Sequence, residues 1–172
     1  MRHLLFGAVL LAQTGCSLIT VKQDPFPPLE IRADRPAAPP ARVVLTDSSI
    51  TIGEKVQFAT GSSQILPVSF SLLDEVAKVL ADNPQIELLE IDGHTDSTGT
   101  ATLNRKLSQQ RAESVMTYLT SKGVAAGRMK AKGFGPDKPI ADNATDEGKE
   151  KNRRVEFNIL KQGPKETVVH DD

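Results

Sequence analysis

Tryptophan is absent from this 172-residue chain, tyrosine occurs once, and aromatic residues make up only 4% of the sequence. So few flat rings leave little on which the bases of a single-stranded nucleic acid could stack. Positive charge is not in excess either, since 21 Lys and Arg residues stand against 22 Asp and Glu residues. Without a basic field to recruit phosphates, the chain is not expected to bind nucleic acid.

Cysteine occurs once, as Cys16, so no disulfide can form within the chain. A single domain held by its hydrophobic core is therefore expected at this length. Long hydrophobic runs are also missing. The apolar run from Leu4 to Ala12 is too short to cross the roughly 30 Å hydrocarbon core of a bilayer as a helix.

The first residues have the pattern of an export signal. Arg2 gives a positive start, the apolar run follows, and Gly15 precedes the cysteine. The arrangement around Cys16 resembles the lipobox of bacterial lipoproteins, in which the cysteine is acylated and becomes the mature N-terminus. We therefore predict a signal peptide over residues 1–15 and lipid attachment at Cys16. An ordinary secretory signal with an incidental cysteine is the alternative.

A proline-rich linker separates this N-terminus from the rest of the chain. Residues 17–42 contain six of the eleven prolines, namely Pro25, Pro27, Pro28, Pro36, Pro39 and Pro40. Such composition favours an extended, semi-rigid spacer. We predict a lipidated N-terminus and linker over residues 16–42, a folded domain over residues 43–160 and a disordered tail over residues 161–172.

Apolar periodicity predicts the elements of the folded domain. Helical spacing covers residues 68–81 and 101–122, whereas strand-like runs occur at 43–45, 49–52, 55–58, 86–91, 128–132 and 154–160. The order indicates an α/β fold of the α+β sandwich type. We expect two helices packed on a mixed four-stranded sheet, in the order β-α-β-α-β-β, with a short N-terminal β extension.

Two opposite charges stand out around the start of the second predicted helix. At about 100° per residue, Arg111 falls within the apolar arc of that helix, together with Asn104 and Ser108. Burying a guanidinium without a partner is very costly, so Arg111 requires a carboxylate, several carbonyls or a ligand. Asp96, in the turn that enters the helix, is the nearest candidate partner along the chain.

Two interpretations of this pair are open. The first is a structural salt bridge between Asp96 and Arg111, with Asn104 bracing the turn. The second is a clamp for a zwitterion, in which Asp96 receives an ammonium group and Arg111 a carboxylate. The ligand suited to such a clamp is an amino acid end group that carries both charges.

Catalysis and metal binding have weaker support in the sequence. Asp92, His94 and Asp96 alternate along a strand and share one face, but one histidine and two carboxylates make a weak metal signal. Ser108 has no histidine nearby in the sequence, and no other nucleophile and base form a pair. We predict no catalytic residues, no metal and no cofactor.

Longer motifs point to a family. Gly-His-Thr-Asp-x-x-Gly at 93–99 is followed by Asn-x-x-Leu-Ser-x-x-Arg-Ala-x-x-Val at 104–115, and Asn-Arg-Arg-Val-Glu lies at 152–156. These residues resemble the OmpA-like C-terminal domain family, which includes the peptidoglycan-associated lipoproteins. The resemblance extends over about residues 43–160.

This resemblance implies noncovalent binding of peptidoglycan through the diaminopimelate end of its stem peptide. It implies that the side chains of Asp96 and Arg111 hold the amino-carboxylate group. It also implies that Leu107 contributes through its backbone and that the loop after Phe58 approaches the ligand. The implied site residues are Asp96, Arg111, Asn104, Leu107, Thr95, Thr60 and Gly61. Many family members have Asp or Asn at the position of Gly61, so one side-chain contact is expected to be missing here.

The resemblance also implies a place in the cell. A lipoprotein of this type anchors a membrane to the cell wall from the periplasmic side of the envelope, and Ser17 after the cysteine is compatible with the outer membrane. The expected partners are peptidoglycan, a membrane through the lipid, and envelope proteins. The alternative is a scaffold or interaction subunit of an envelope complex, with wall binding secondary.

Overall fold

The computed structural model describes residues 41–164. The predicted signal peptide, Cys16, nearly all of the linker and the tail beyond Pro164 lie outside this range. Over the range described, none of the helices combines the length and the hydropathy needed to cross a bilayer.

A five-stranded sheet in the order β1-β2-β5-β3-β4 forms the centre of the domain. Only β3 and β4 run parallel, and the other neighbours are antiparallel, so the sheet is mixed as predicted. The strands are β1 (Val43–Leu45), β2 (Ser49–Ile52), β3 (Ile86–His94), β4 (Met129–Gly135) and β5 (Val155–Gln162).

Three details of the predicted sheet are wrong. The sheet has five strands rather than four, because the N-terminal hairpin of β1 and β2 joins it through β5. The predicted strand 55–58 is an irregular segment with one isolated bridge, between Phe58 and Ile65. Strand β5 does not end at residue 160, since Gln162 still pairs with Ile86, so the predicted tail begins too early.

Helices α1 (Phe70–Asp82) and α2 (Ala101–Ser121) lie where periodicity predicts them. A third helix, α3 (Asp146–Asn152), was not predicted. Its seven residues contain no large apolar side chain, so no hydrophobic period marks it. It is instead defined at its start by Thr145, whose hydroxyl accepts a hydrogen bond from the Gly148 amide at 3.0 Å.

The hydrophobic core lies between the helices and the sheet. Helix α1 buries one apolar face because its leucines, valines and alanines recur at helical spacing. The strands contribute Leu89, Ile91 and Phe157, each with at most 1% of its surface exposed. The buried residues of α1 are Leu72, Leu73, Val76, Ala77 and Leu80.

Glycines let the first half of α2 lie directly on the ends of β3 and β4. A Cβ atom on Gly93 would stand 2.2 Å from the Ser108 carbonyl oxygen, and one on Gly133 would stand 2.3 Å from the Gln109 amide nitrogen. Side chains at these two positions would hold the helix away from the sheet. The close approach also gives the buried Ser108 hydroxyl a partner, since it accepts the Gly135 amide at 2.9 Å.

The inward face of α2 is as polar as predicted, but it is rotated slightly. Asn104 and Ser108 are buried, whereas the apolar Leu103 is 66% exposed. The glycine contacts on the sheet draw the polar residues inward, and the first three residues of the helix are left in solvent. Arg111 is half-buried at the edge of this face.

Candidate ligand-binding site

A tight turn follows β3 and holds Asp96. The Asp96 Oδ1 atom accepts the Thr98 amide at 2.8 Å, which is a local turn that aspartate side chains favour. Asn104 on α2 donates its Nδ2 group to the carbonyl oxygens of Thr98 at 2.9 Å and Asp96 at 3.3 Å. The structure therefore places Asn104 as a brace of this turn.

Asp96 pairs with Arg153 rather than with Arg111. Its Oδ2 atom accepts a hydrogen bond from Arg153 Nη1, and Arg153 also binds Glu150. Burial raises the pKa of the Asp96 carboxyl, but the Thr98 amide and Arg153 outweigh it and hold the pKa below its ordinary value. No ion pair joins Asp96 to Arg111 in the part of the chain that the structure describes, so the first of the two interpretations, a structural salt bridge between them, is not supported.

Arg111 has a different set of neighbours. Its Nε group donates to the Ser62 carbonyl oxygen at 3.0 Å, and its guanidinium carbon lies 5.0 Å from the centre of the Phe58 ring. Burial, followed by repulsion from Arg153, lowers its pKa from the ordinary value. Within residues 41–164, Arg111 is therefore a half-buried cation that no carboxylate neutralises at contact distance.

A cavity of about 690 Å³ opens in front of Arg111 and Phe58. Its wall is rich in positive charge, and the two acidic residues on it do not neutralise Arg111. One of them, Glu150, is already paired with Lys55 at 3.0 Å and with Arg153. The lining residues are Glu54, Lys55, Val56, Gln57, Phe58, His94, Arg111, Glu150, Arg153 and Arg154.

Of the predicted site residues, Arg111 alone is among the residues that line this cavity. Thr95 is buried and donates its amide to the Gly135 carbonyl oxygen at 3.0 Å. Leu107 is half-buried on α2, one turn before Arg111. Thr60 and Gly61 are exposed in a turn, and the next residue of that turn supplies the carbonyl oxygen that Arg111 contacts.

The sequence patterns assign no role to Arg153, which pairs with Asp96 in the structure. It lies far along the chain from Asp96 and follows the short polar helix α3, so neither spacing nor periodicity indicates the pairing. The buried Asn152 fixes this part of the chain, because its side chain binds Ile140, Ala141 and Asn143. The Asn-Arg-Arg motif at 152–154 was the one feature of the sequence that could have pointed to Arg153.

The turn at Gly61 has room for the asparagine side chain that the family resemblance leads one to expect there. Gly61 has a φ of +64°, and nothing lies within 4 Å of an added Cβ. Asparagine tolerates this backbone region, whereas β-branched residues do not. In urea titrations we expect Gly61→Asn to change the free energy of unfolding by less than about 0.5 kcal/mol. Gly61→Val should lower the free energy of unfolding by about 1 to 3 kcal/mol. Equal decreases in both variants would contradict this view of the turn.

Comparison with known proteins agrees with this architecture. The model of the OmpA family matches residues 57–153, more than half of the chain. "Probable lipoprotein YiaD" of Escherichia coli K12 is 43% identical over 110 residues, which cover 64% of this chain and 50% of that protein. "Peptidoglycan-binding protein ArfA" of Mycobacterium bovis is 37% identical over 133 residues, which cover 75% of this chain and 40% of that protein.

A solved structure extends the comparison to the fold. The cell wall anchor of the T6SS from Pseudomonas aeruginosa superposes with a TM-score of 0.60 at 33% identity, covering 70% of this chain and 89% of that one. The chain spans about half or less of the length of the two curated relatives above. Because the family model covers more than half of its length, the chain belongs to the OmpA family.

Proposed function

We propose that this protein binds peptidoglycan noncovalently, through the diaminopimelate end of the stem peptide. The observation that carries the proposal is Arg111, a half-buried cation without a carboxylate partner in residues 41–164 that faces a cavity beside the Asp96 turn. An arginine in this position favours a ligand carboxylate, because its planar fork matches a carboxylate with two hydrogen bonds.

Asp96 is the proposed acceptor for the ligand's ammonium group. Each of its oxygens already accepts one hydrogen bond, from Thr98 and from Arg153, and each retains a second lone pair. Its lowered pKa keeps the carboxylate ionised at neutral pH. The ligand's ammonium would therefore share Asp96 with Arg153, and Asn104 would keep the turn in the binding conformation.

The other residues have supporting roles in the proposed site. Leu107 would contribute through its backbone, and Thr95 would complete the turn beneath the ligand. Thr60 and Gly61 would approach the ligand from the loop that already contacts Arg111 through Ser62. Phe58 supplies an apolar floor beside the guanidinium group.

The names of the relatives support wall binding. ArfA is described as a peptidoglycan-binding protein, and the matched structure from Pseudomonas aeruginosa is described as a cell wall anchor. We infer binding rather than catalysis for this chain. Acylation of Cys16 would add a membrane attachment, so that the protein would connect a membrane, in our proposal the outer one, to the wall.

A scaffold role in an envelope assembly is the second candidate. The similarity to a protein described as the cell wall anchor of the T6SS favours this role, because that description assigns the protein to a larger system. Both candidates share wall binding and differ in whether protein partners are needed. Recovery of the protein with sacculi in the absence of any other protein would show that wall binding does not depend on partners.

Sedimentation with purified sacculi tests the proposed function. We expect the protein to sediment with sacculi and to be released by free diaminopimelate, without release of soluble muropeptides. Pimelate has the carboxylates but no ammonium groups, and cadaverine has the ammonium groups but no carboxylates. Neither should compete as diaminopimelate does, because each satisfies only one half of the clamp. Sedimentation that diaminopimelate leaves unchanged would contradict the proposal, and soluble muropeptides would indicate an enzyme.

A further inference from the structure

A second group of polar side chains lies on neighbouring strands, next to the cavity but apart from the Asp96 turn. Asp92 on β3 stands opposite Glu156 on β5, and His94 follows two residues later on the same face. One ligand atom from each residue lies within 4.8 Å of the others, and His94 Nε2 is 3.7 Å from Glu156 Oε2. The sequence pattern pairs Asp96 with Asp92 and His94, but the structure puts Glu156 in that place.

This group contains buried polar atoms without hydrogen-bond partners. Both ring nitrogens of His94 and the Oδ1 atom of Asp92 are buried and unpaired. His94 is 2% exposed and Asp92 is 4% exposed. Buried polar atoms are nearly always paired, so three unpaired atoms in one place indicate a bound group such as an ion or a water molecule.

Neighbouring side chains orient the three residues and leave one atom of each carboxylate free. Asn158 donates to Asp92 Oδ2 at 3.0 Å, and Arg154 donates to Glu156 Oε1 at 2.6 Å. Phe134 stacks on the His94 ring with their centres 5.3 Å apart, which fixes the ring plane. Outer partners that hold carboxylate ligands in this way are typical of metal sites, whereas the His94 ring is oriented by stacking alone and its second nitrogen has no hydrogen-bond partner within residues 41–164.

The surrounding charges are compatible with a divalent cation. Glu90 adds a third carboxylate near Asp92, and Arg154 is a partly buried cation beside Glu156, while Lys132 and Lys138 are exposed and screened by solvent. Burial and then Glu90 raise the pKa of Asp92 to about 6. Burial and then Arg154 lower the pKa of His94 to about 4, so its ring is neutral at pH 7.

We propose that Asp92, His94 and Glu156 bind one divalent transition-metal ion of the Zn²⁺ or Co²⁺ type. One imidazole nitrogen and two carboxylate oxygens suit such ions, whereas Mg²⁺ and Ca²⁺ favour oxygen ligands alone. Three protein ligands leave a further coordination position for water. His94 also lines the cavity, so an ion can enter from that side.

Equilibrium dialysis of the untagged full chain against Zn²⁺ tests this site. We expect one chelator-reversible equivalent of Zn²⁺, no retention of Mg²⁺, and Co²⁺ broadening of NMR signals centred on residues 92–94. Asp92→Asn and Glu156→Gln keep the side-chain shapes and should each weaken Zn²⁺ binding by about tenfold or more. His170→Ala is the matched control, because it removes another histidine of the chain, and it should bind as the parent does.

Three results would overturn the proposal. They are a parent protein that retains no Zn²⁺, variants that bind Zn²⁺ as the parent does, and Co²⁺ broadening centred away from residues 92–94. In the first case the unpaired atoms hold water only. Circular dichroism of each variant checks folding, and if one variant is unfolded, the other variant and the Co²⁺ spectrum of the parent decide. The outcome is independent of peptidoglycan binding, which is measured separately.

Discussion

Gly133→Ala is expected to lower the free energy of unfolding by about 3 kcal/mol, at the upper end of overpacking substitutions. The new Cβ atom would stand 2.3 Å from the Gln109 amide nitrogen and 2.6 Å from the Gln109 Cα atom. Both belong to the helix backbone, so no side-chain rotation relieves the overlap and α2 must move off the sheet. The movement also disrupts the hydrogen bond from the Gly133 amide to the Gln109 side chain at 2.8 Å.

Gly127→Ala is the matched control for this substitution. Nothing lies within 4 Å of a Cβ atom at Gly127, and its φ is not in the left-handed region. The added methyl group should therefore be neutral or stabilise the fold by about 0.4 to 1 kcal/mol through the unfolded state. Urea titrations of both variants measure the difference. Equal stabilities would mean that α2 does not rest on β4 as closely as described.

Arg111→Met and Asp96→Asn are expected to weaken diaminopimelate binding by about thirtyfold or more each. Removing one member of a desolvated charge pair costs about 2 to 5 kcal/mol, and about 1.4 kcal/mol corresponds to a factor of ten. Arg111→Met should leave the fold intact, because the side chain forms no ion pair within residues 41–164 and the methionine still covers Phe58. Calorimetric titration with diaminopimelate gives the affinities.

The two variants should also fail in different ways. If Arg111 binds the carboxylate, Arg111→Met no longer distinguishes diaminopimelate from cadaverine. If Asp96 binds the ammonium group, Asp96→Asn no longer distinguishes diaminopimelate from pimelate. Lys106→Ala removes one exposed positive charge from the same helix and should bind as the parent does. If Lys106→Ala weakens diaminopimelate binding as much as Arg111→Met does, the loss reflects overall positive charge and not a specific contact of Arg111.

Local periodicity was enough to predict α1, α2 and the alternation of helices and strands. It failed where long-range contacts decide the structure. Residues 55–58 alternate like a strand, yet among the described residues they form one isolated bridge, between Phe58 and Ile65, and do not join the sheet. Helix α3 was missed since it contributes no apolar stripe and is held by the buried side chain of Asn152.

The candidate site was predicted only in part, because long-range contacts decide the rest of it as well. Helical geometry placed Arg111 at the inward face of α2, and the motif placed Asp96 in the turn before it. The partner of Asp96 could not be read from either pattern, because Arg153 reaches it from after α3. Likewise Glu156 stands beside His94 only through the register of β5 on β3, which no local pattern in the sequence encodes.

The position of β5 has a consequence for how the domain folds. It is the last strand of the domain along the chain, yet it lies in the middle of the sheet, between β2 and β3. Until β5 inserts, the hairpin of β1 and β2 and the parallel pair of β3 and β4 are separate pieces, each with an unpaired edge. Closing the sheet requires Ser49 to meet Asn158, a contact between the two ends of the domain. Such distant pairings make folding slow, so the chain stays without its complete sheet until its last strand is available.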